Sequence, residues 1–372
     1  MSVITQIEVR ALDSDHSVRW TERAPTNALT TTLVRITDSD GCYGLGGCDS
    51  YTPRPRDLSV LEAVHSLSPV LVGRDSDCRE TFAYQVRVGV MFPFSPAAIS
   101  ILDVALWDLA ARRREMPLYK LLGGAQARDR IPAYASLETM ERSDDYLETV
   151  AAACKEGLRA VKVHAWGDPE LDVTLLERLR EAHPDLSLMH DAEGVYDRRG
   201  ALRVARSLEA LDFRWFEAPL PDNDFAGYRD LLKRVDLPIL AAGYSMWDVH
   251  QFAEALRDPP WTALRAESGS TLGITSLCKL ITLAAAFDMD LEPVSYGHTL
   301  HQLATLHVML AHDNVSYFEL PYPVEPWEYG VINPVRPDAD GMVEAPIGDG
   351  LGIELDWEWI EAHTAGKILL TD

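Results

Sequence analysis

Eight short apolar runs, separated by helix-length amphipathic stretches, constrain this chain more than any other feature. They are IPAYAS at 131, LRAVKVHA at 158, LSLMHD at 186, FRWFEAP at 213, LPILAA at 237, WTALRAE at 261, MDLEPVS at 289 and NVSYFEL at 314. Their starts lie roughly 25 residues apart, the length of one βα unit. Eight such units close a parallel barrel more readily than they extend an open sheet; a doubly wound open sheet is the alternative that the pattern alone leaves. In a barrel, chemistry gathers where the strands end, so the residues that close each run are the ones to read.

The region before the runs has a different grammar. Thr30 to Asp38 reads as a strand, Ser39-Asp40-Gly41 as a turn, and Gly44 to Gly47 as the returning strand of a hairpin. Leu58 to Leu67 and Arg79 to Val88 carry helical spacing, with Pro69 closing the first. Pro96 to Arg112 is the clearest helix, with Ala98, Ile101, Leu102, Ala105, Leu106 and Leu109 in one stripe and Pro96 near its start. A chain of 372 residues exceeds what one core usually serves. The expected organisation is therefore α/β: an α+β capping domain over 1–127 and a (β/α)-barrel over 128–335. The tail from Asp340 has turn residues and no further βα unit, so 336–372 is expected to return to the first domain.

Acidic residues outnumber basic ones, 58 to 34, giving a net charge of -24. A field of that sign repels nucleic acid and anionic membranes, which argues against both as partners. A small carboxylate substrate then needs local positive charge. No basic segment followed by an apolar run marks a signal peptide, and no stretch is long enough to span a membrane. Five scattered cysteines without a C-x-x-C pair indicate neither a disulfide framework nor a zinc site. A cytoplasmic protein is the expectation.

Ionisable residues recur at the run ends. Period two puts Leu158, Ala160, Lys162 and His164 on one face of the second strand. The third run closes with Asp191-Ala192-Glu193 and the fourth with Glu217. Carboxylates on adjacent strands share a space and repel, and a hard divalent cation relieves that repulsion. The sixth run closes with Arg265-Ala266-Glu267 and the eighth with Glu319; an ion pair plugging the barrel top is the plain alternative for these. Tyr296 and His298 follow the seventh strand as loop or supporting residues.

With these residues in place, the chain resembles the mandelate racemase type of the enolase superfamily. AAISILDVALWDLAARRREMPLYKLLGG (97–124) follows the helix that joins cap to barrel, and LGITSLCKLITLAAAF (272–287) is a second matching stretch. The order Lys-x-basic, Asp, Glu and Glu-x-x-x-x-x-Gly-Ile-Thr matches too. The resemblance implies one Mg²⁺ per site, which holds a substrate carboxylate while a base removes the α-proton to give an enediolate. Asp191 and Glu217 correspond to the first two metal ligands, with Glu193 beside them. Lys162 corresponds to the lysine flanking the carboxylate, His164 stands at the base position, and Glu319 matches the acid that hydrogen-bonds the enediolate. Asp15 to Thr26 and Cys48 to Arg56 would be the specificity loops, and a homodimer or homo-octamer would be usual.

Three positions depart from that pattern. Tyr244 stands where the third carboxylate ligand belongs, which predicts weaker Mg²⁺ binding unless Glu193 or Glu267 compensates; Arg265 offers fixed positive charge instead. The second base of the family is a His–Asp dyad, and here Glu267 and Val294 hold its two positions. The leading expectation is a sugar-acid dehydratase, with Glu267 as a further catalytic group. A racemase, epimerase or other lyase using Tyr296 or His298 is the second reading, and a non-catalytic acid- or protein-binding barrel the third.

Overall fold

The computed structural model describes residues 2–20, 25–89 and 95–371. Four antiparallel strands open the fold: β1 (Ile4–Val18), β2 (Asn27–Asp38) and β3 (Tyr43–Thr52), with β13 (Thr364–Thr371) paired to β1. The tail thus ends in the first sheet, while β12 (Met342–Glu344) pairs with the first barrel strand. Ile7, Val9, Ala11, Val34 and Ile36 bury one face of the sheet against helices Ser59–Leu67 and Pro96–Arg112. Each of the valine and isoleucine side chains contributes about 1.5–3 kcal/mol when fully buried.

Helix Pro96–Arg112 starts where the sequence reading puts it. The Ser95 side chain accepts the Ala98 N–H at 3.3 Å, and Pro96 fills a position whose N–H has no helical partner. It is buried nearly all round rather than along one stripe. Two acids inside it, Asp103 and Asp108, carry the reason. Asp103 accepts the N–H and hydroxyl of Thr275, on the barrel side, and Asp108 accepts the N–H groups of Leu45 in β3 and Leu351 in the tail. On the sheet side the approach is so close that a Cβ at Gly44 or Gly46 would collide with the carbonyl oxygens of Ala105 and Ile101.

The eight runs form the barrel strands β4 (Arg130–Leu137), β5 (Ala160–His164), β6 (Ser187–Asp191), β7 (Trp215–Glu217), β8 (Ile239–Leu240), β9 (Leu264–Glu267), β10 (Leu291–Val294) and β11 (Phe318–Tyr322). They run parallel in the order β11-β4-β5-β6-β7-β8, with β9 paired to β10 and joined to β8 through Leu240 and Ala263. At the seam between β10 and β11 a side chain substitutes for the ladder: Ser295 Oγ donates to the Glu319 carbonyl at 2.8 Å and accepts its N–H at 2.9 Å. Along β5, Ala160 faces the barrel interior and Val161 and Val163 face the helices; Leu158 precedes the strand and packs outside, unlike the expected alignment with Lys162. Tyr134, Met189, Trp215 and Leu240 floor the interior. Among the described residues, no helix is long and apolar enough to cross a membrane. Residues 21–24 of the expected loop Asp15–Thr26 lie outside the described residues.

Candidate active site

A cavity of about 400 Å³ opens at the C-terminal ends of the barrel strands, beneath the cap. Lys162, His164, Asp191, Glu193, Glu217, Arg265, Glu267 and Glu319 line it from the barrel; Trp20, Cys48, Asp49 and Tyr51 line it from the cap.

At its floor lies a buried ionic cluster. Lys162 Nζ is 3.0 Å from Asp191 Oδ2, 3.0 Å from Glu217 Oε2 and 2.7 Å from Glu319 Oε1. Arg265 Nη2 is 2.5 Å from the other oxygen of Glu217 and 3.1 Å from that of Glu319. Ser136 donates to Glu319 at 2.9 Å. Register sets this up: Asp191 pairs with both His164 and Glu217, so three strands deliver these groups at one height, and Lys162, paired with Met189 two residues below, reaches them from underneath. Three carboxylates against two cations leave one negative charge in excess. Burial works to strip the proton from Lys162, but Glu217 and Glu319 outweigh it and hold the ammonium well above the ordinary lysine range. Burial lifts Glu217 to about 7 despite Arg265 and Lys162, so the excess charge is relieved there first. Burial pushes the same way on Asp191 and Glu319, yet the cations beside them hold both below the usual carboxylate range.

His164 stands at the edge of this cluster. Its Nδ1 lies 2.5 Å from the Leu137 carbonyl, which can only accept, so Nδ1 carries the proton and Nε2 a lone pair. That lone pair faces Asp191 Oδ2 at 3.5 Å and Glu193 Oε1 at 3.4 Å. Burial opposes protonation, but the two carboxylates win and raise the imidazole's affinity for a proton. Glu193 is aimed by its backbone: it has a φ of 49°, and its N–H bonds Asp191 Oδ1 at 3.0 Å. Left-handed backbone at a non-glycine residue costs about 1–3 kcal/mol and gathers at functional sites.

The donor set tests the expected metal site. Among the described residues, His164, Asp191 and Glu193 bring one donor atom each to within 4.8 Å of one another. Asp191 and Glu193 therefore converge as the sequence reading has them, whereas Glu217 turns to Lys162 and Arg265. Tyr244 is 59% exposed at the rim and brings no carboxylate. Two hard oxygen donors beside an open cavity suit Mg²⁺, which keeps most of its positions for water or substrate. Imidazole is the poorer partner for that ion.

The remaining candidates separate. Glu267 faces away from the metal donors, its Oε2 3.6 Å from His301 Nε2. His298 caps helix Thr299–Leu310, accepting the Leu300 N–H, and bonds the Tyr329 carbonyl; it does not line the cavity. Tyr296 lines it and packs edge-on to Trp20 at 4.8 Å, and Trp20 lies 5.6 Å from the His164 ring. His301 is absent from the sequence reading, which names Tyr296 and places Trp20 only within an expected loop. The only trace of His301 there is its spacing, three residues after His298 and so on the first turn of the same helix.

Residues 8–123 match the N-terminal domain family of mandelate racemase and muconate lactonizing enzyme, and residues 145–359 match the enolase C-terminal domain-like family. A Streptomyces coelicolor protein named 3,6-anhydro-alpha-L-galactonate cycloisomerase is 31% identical over 340 residues, 87% of this chain and 89% of its own. A solved Pseudovibrio sp. structure, classed with mandelate racemase and muconate lactonizing enzymes, superposes with a TM-score of 0.96 at 31% identity over 100% of both chains. The structure of D-glucarate dehydratase from Agrobacterium tumefaciens, complexed with magnesium, gives 0.85 at 25% identity over 98% of this chain and 99% of the other.

Proposed function

Because the chain belongs to the mandelate racemase/muconate lactonizing enzyme family of the enolase superfamily, we propose that it is a lyase that removes the α-proton of a sugar acid and expels a β-hydroxyl as water. The observation that carries this reading is the pairing of His164, fixed with its lone pair toward the cavity, with the permanently charged Lys162 on the same strand face. The α-proton of a carboxylate is far less acidic than any side chain, so removing it requires cations already placed where charge develops. Lys162 and Arg265 are such cations, and Glu217 and Glu319 hold them from both sides so that neither has to move. A divalent ion such as Mg²⁺, held by Asp191 and Glu193, supplies Lewis-acid charge at the substrate carboxylate. His164 Nε2 accepts the α-proton.

Trp20, Tyr51 and Tyr296 give the substrate an apolar wall, suited to the C–H face of an aldonic or aldaric chain. We place the cap at 1–127 with 336–372 and the barrel at 128–335, the cap closing over the sugar. A cycloisomerase or epimerase is the second reading, favoured by the 31% identical cycloisomerase and by the Glu267–His301 pair across the cavity.

Incubating the protein with Mg²⁺ and a panel of C5 and C6 aldonic and aldaric acids in D₂O tests the reading. Loss of an α-proton signal with release of a 2-keto acid is expected for at least one acid, and His164→Asn abolishes both. Full activity in His164→Asn would remove the base assignment; no exchange with any acid would remove the function.

A further inference from the structure

The cavity holds a second imidazole that the proposed reaction has not used. We infer that His301, oriented by Glu267 and the Val294 carbonyl, is the acid that protonates the departing β-oxygen. This rests on the sugar-acid reading above and adds the second half of its proton inventory.

Placement comes first. His164 ends the second barrel strand and Glu267 the sixth, so in a ring of eight they face each other across the cavity. His301 sits on the first turn of helix Thr299–Leu310, which follows the seventh strand, and is 4% exposed. Its Nε2 is 3.1 Å from the Val294 carbonyl and 3.6 Å from Glu267 Oε2. Val294 is the strand position at which the family resemblance expects an imidazole. His301 lies on the helix, and its ring reaches that strand end, where the Val294 carbonyl holds it.

The tautomer follows. A carbonyl only accepts, so Nε2 carries a proton and Nδ1 is the nitrogen free to gain and lose one. Nδ1 has one long contact, 3.4 Å to Ser268 Oγ, and lies over Gly269, where a Cβ would come within 3.1 Å of it. Gly269, Glu267 and His301 all line the same cavity as His164. When Nδ1 is protonated, Glu267 provides the counter-charge beside the ring.

The step balances without a co-reactant. His164 Nε2 takes the α-proton, and the C–H electron pair forms the enediolate double bond. The enediolate pair then shifts to form the Cα–Cβ double bond as the β-carbon–oxygen bond breaks, its pair staying on oxygen, and that oxygen takes the Nδ1 proton of His301 and leaves as water. The enol tautomerises to a 2-keto acid, His164 returns its proton to solvent, and His301 regains one. Where the β-oxygen is tethered in a ring, the same transfer opens the ring and yields an isomer.

The test uses the full chain, Mg²⁺ and the same aldonic and aldaric acid panel, read for α-proton exchange by NMR and for keto-acid release. His301→Asn is expected to keep exchange within about threefold of wild type while product release falls about 100-fold, the scale of a lost proton donor. Glu267→Gln, nearer the cavity surface, is expected to give a smaller fall in release, with exchange again retained; it carries the test if His301→Asn does not fold. Wild-type product release in His301→Asn, or equal loss of exchange and release, overturns the inference. Absence of exchange in the wild-type protein sinks the function itself, a separate outcome.

Discussion

Glu319 Oε1 lies 2.7 Å from Lys162 Nζ, while its other oxygen lies 3.1 Å from Arg265 Nη2. One carboxylate thus bridges two cations at the cavity floor, and Glu217 repeats the arrangement from the other side. The four groups form a closed ring of alternating sign, and all four side chains are buried. Coulomb attraction there offsets the desolvation of each charge only while every partner is present.

Removing one member therefore exposes the full desolvation cost of those that remain. Lys162→Met leaves Asp191, Glu217 and Glu319 with Arg265 as their one cationic partner in the cluster. A loss of about 3–5 kcal/mol in unfolding free energy is expected, measured by denaturant titration. Adding Glu319→Gln to Lys162→Met should recover part of it, because the uncompensated charge falls by one. A single variant as stable as wild type would show that the ring contributes nothing.

The divalent-ion site is expected to depend on Glu193 more than on Glu217. Asp191→Asn should abolish Mg²⁺ binding measured by calorimetry, and Glu193→Gln should weaken it at least about tenfold, or 1.4 kcal/mol. Glu217→Gln should change affinity less, since its oxygens already serve Lys162 and Arg265. His164→Asn should bind Mg²⁺ almost as wild type does, which separates a proton acceptor from a ligand. The reverse ranking of Glu193 and Glu217 would return the ion to the set the family resemblance implies.

What the sequence made legible is whatever strand periodicity controls. Lys162, His164, Asp191, Glu217, Arg265 and Glu319 all lie in or at the ends of strands whose apolar alternation fixes which way they point, and the structure gathers them around one cavity. Partner choice was not legible. Arg265 was equally compatible with a catalytic cation and with an ion-pair plug, and its contacts to Glu217 and Glu319 depend on side-chain reach across the barrel. His301 lay hidden because it belongs to a helix, where distance to the cavity depends on how the helix seats on β10. Likewise β13 carries a half-buried edge-strand alternation that only its pairing to β1 explains, and Asp103 and Asp108 interrupt a stripe that proves to be buried all round.

The joint between cap sheet and helix Pro96–Arg112 is expected to be intolerant of one methyl group. At Gly46 a Cβ would meet the Ile101 carbonyl oxygen and lie 3.0 Å from the Ala105 backbone nitrogen, both in a helix that cannot yield locally. Gly46→Ala should destabilise by about 1–3 kcal/mol, the usual cost of overpacking a tight core. Gly73→Ala, where nothing lies within 4 Å but φ is 77°, isolates backbone strain from collision and should cost less. The two thermal denaturation curves, compared side by side, check the order.

Stability should fall on the acid side of neutrality, and His307 gives a definite reason. It is fully buried in helix Thr299–Leu310, with Nδ1 accepting the Tyr119 N–H at 3.0 Å, so the folded protein holds it neutral. Burial lowers it to about 4, against about 6.5 for an unfolded imidazole. Between those values the unfolded chain binds a proton that the folded chain refuses. The contribution of His307 is therefore complete above about pH 6.5 and is lost as pH falls toward 4, by up to about 1.4 kcal/mol per pH unit. His307→Asn can keep an acceptor for the Tyr119 N–H but does not titrate. Its unfolding free energy should be lower than wild type at pH 8, because the imidazole's packing is lost, and should decline less steeply between pH 6.5 and 4. Parallel slopes for the two proteins would mean that His307 is not held neutral in the fold.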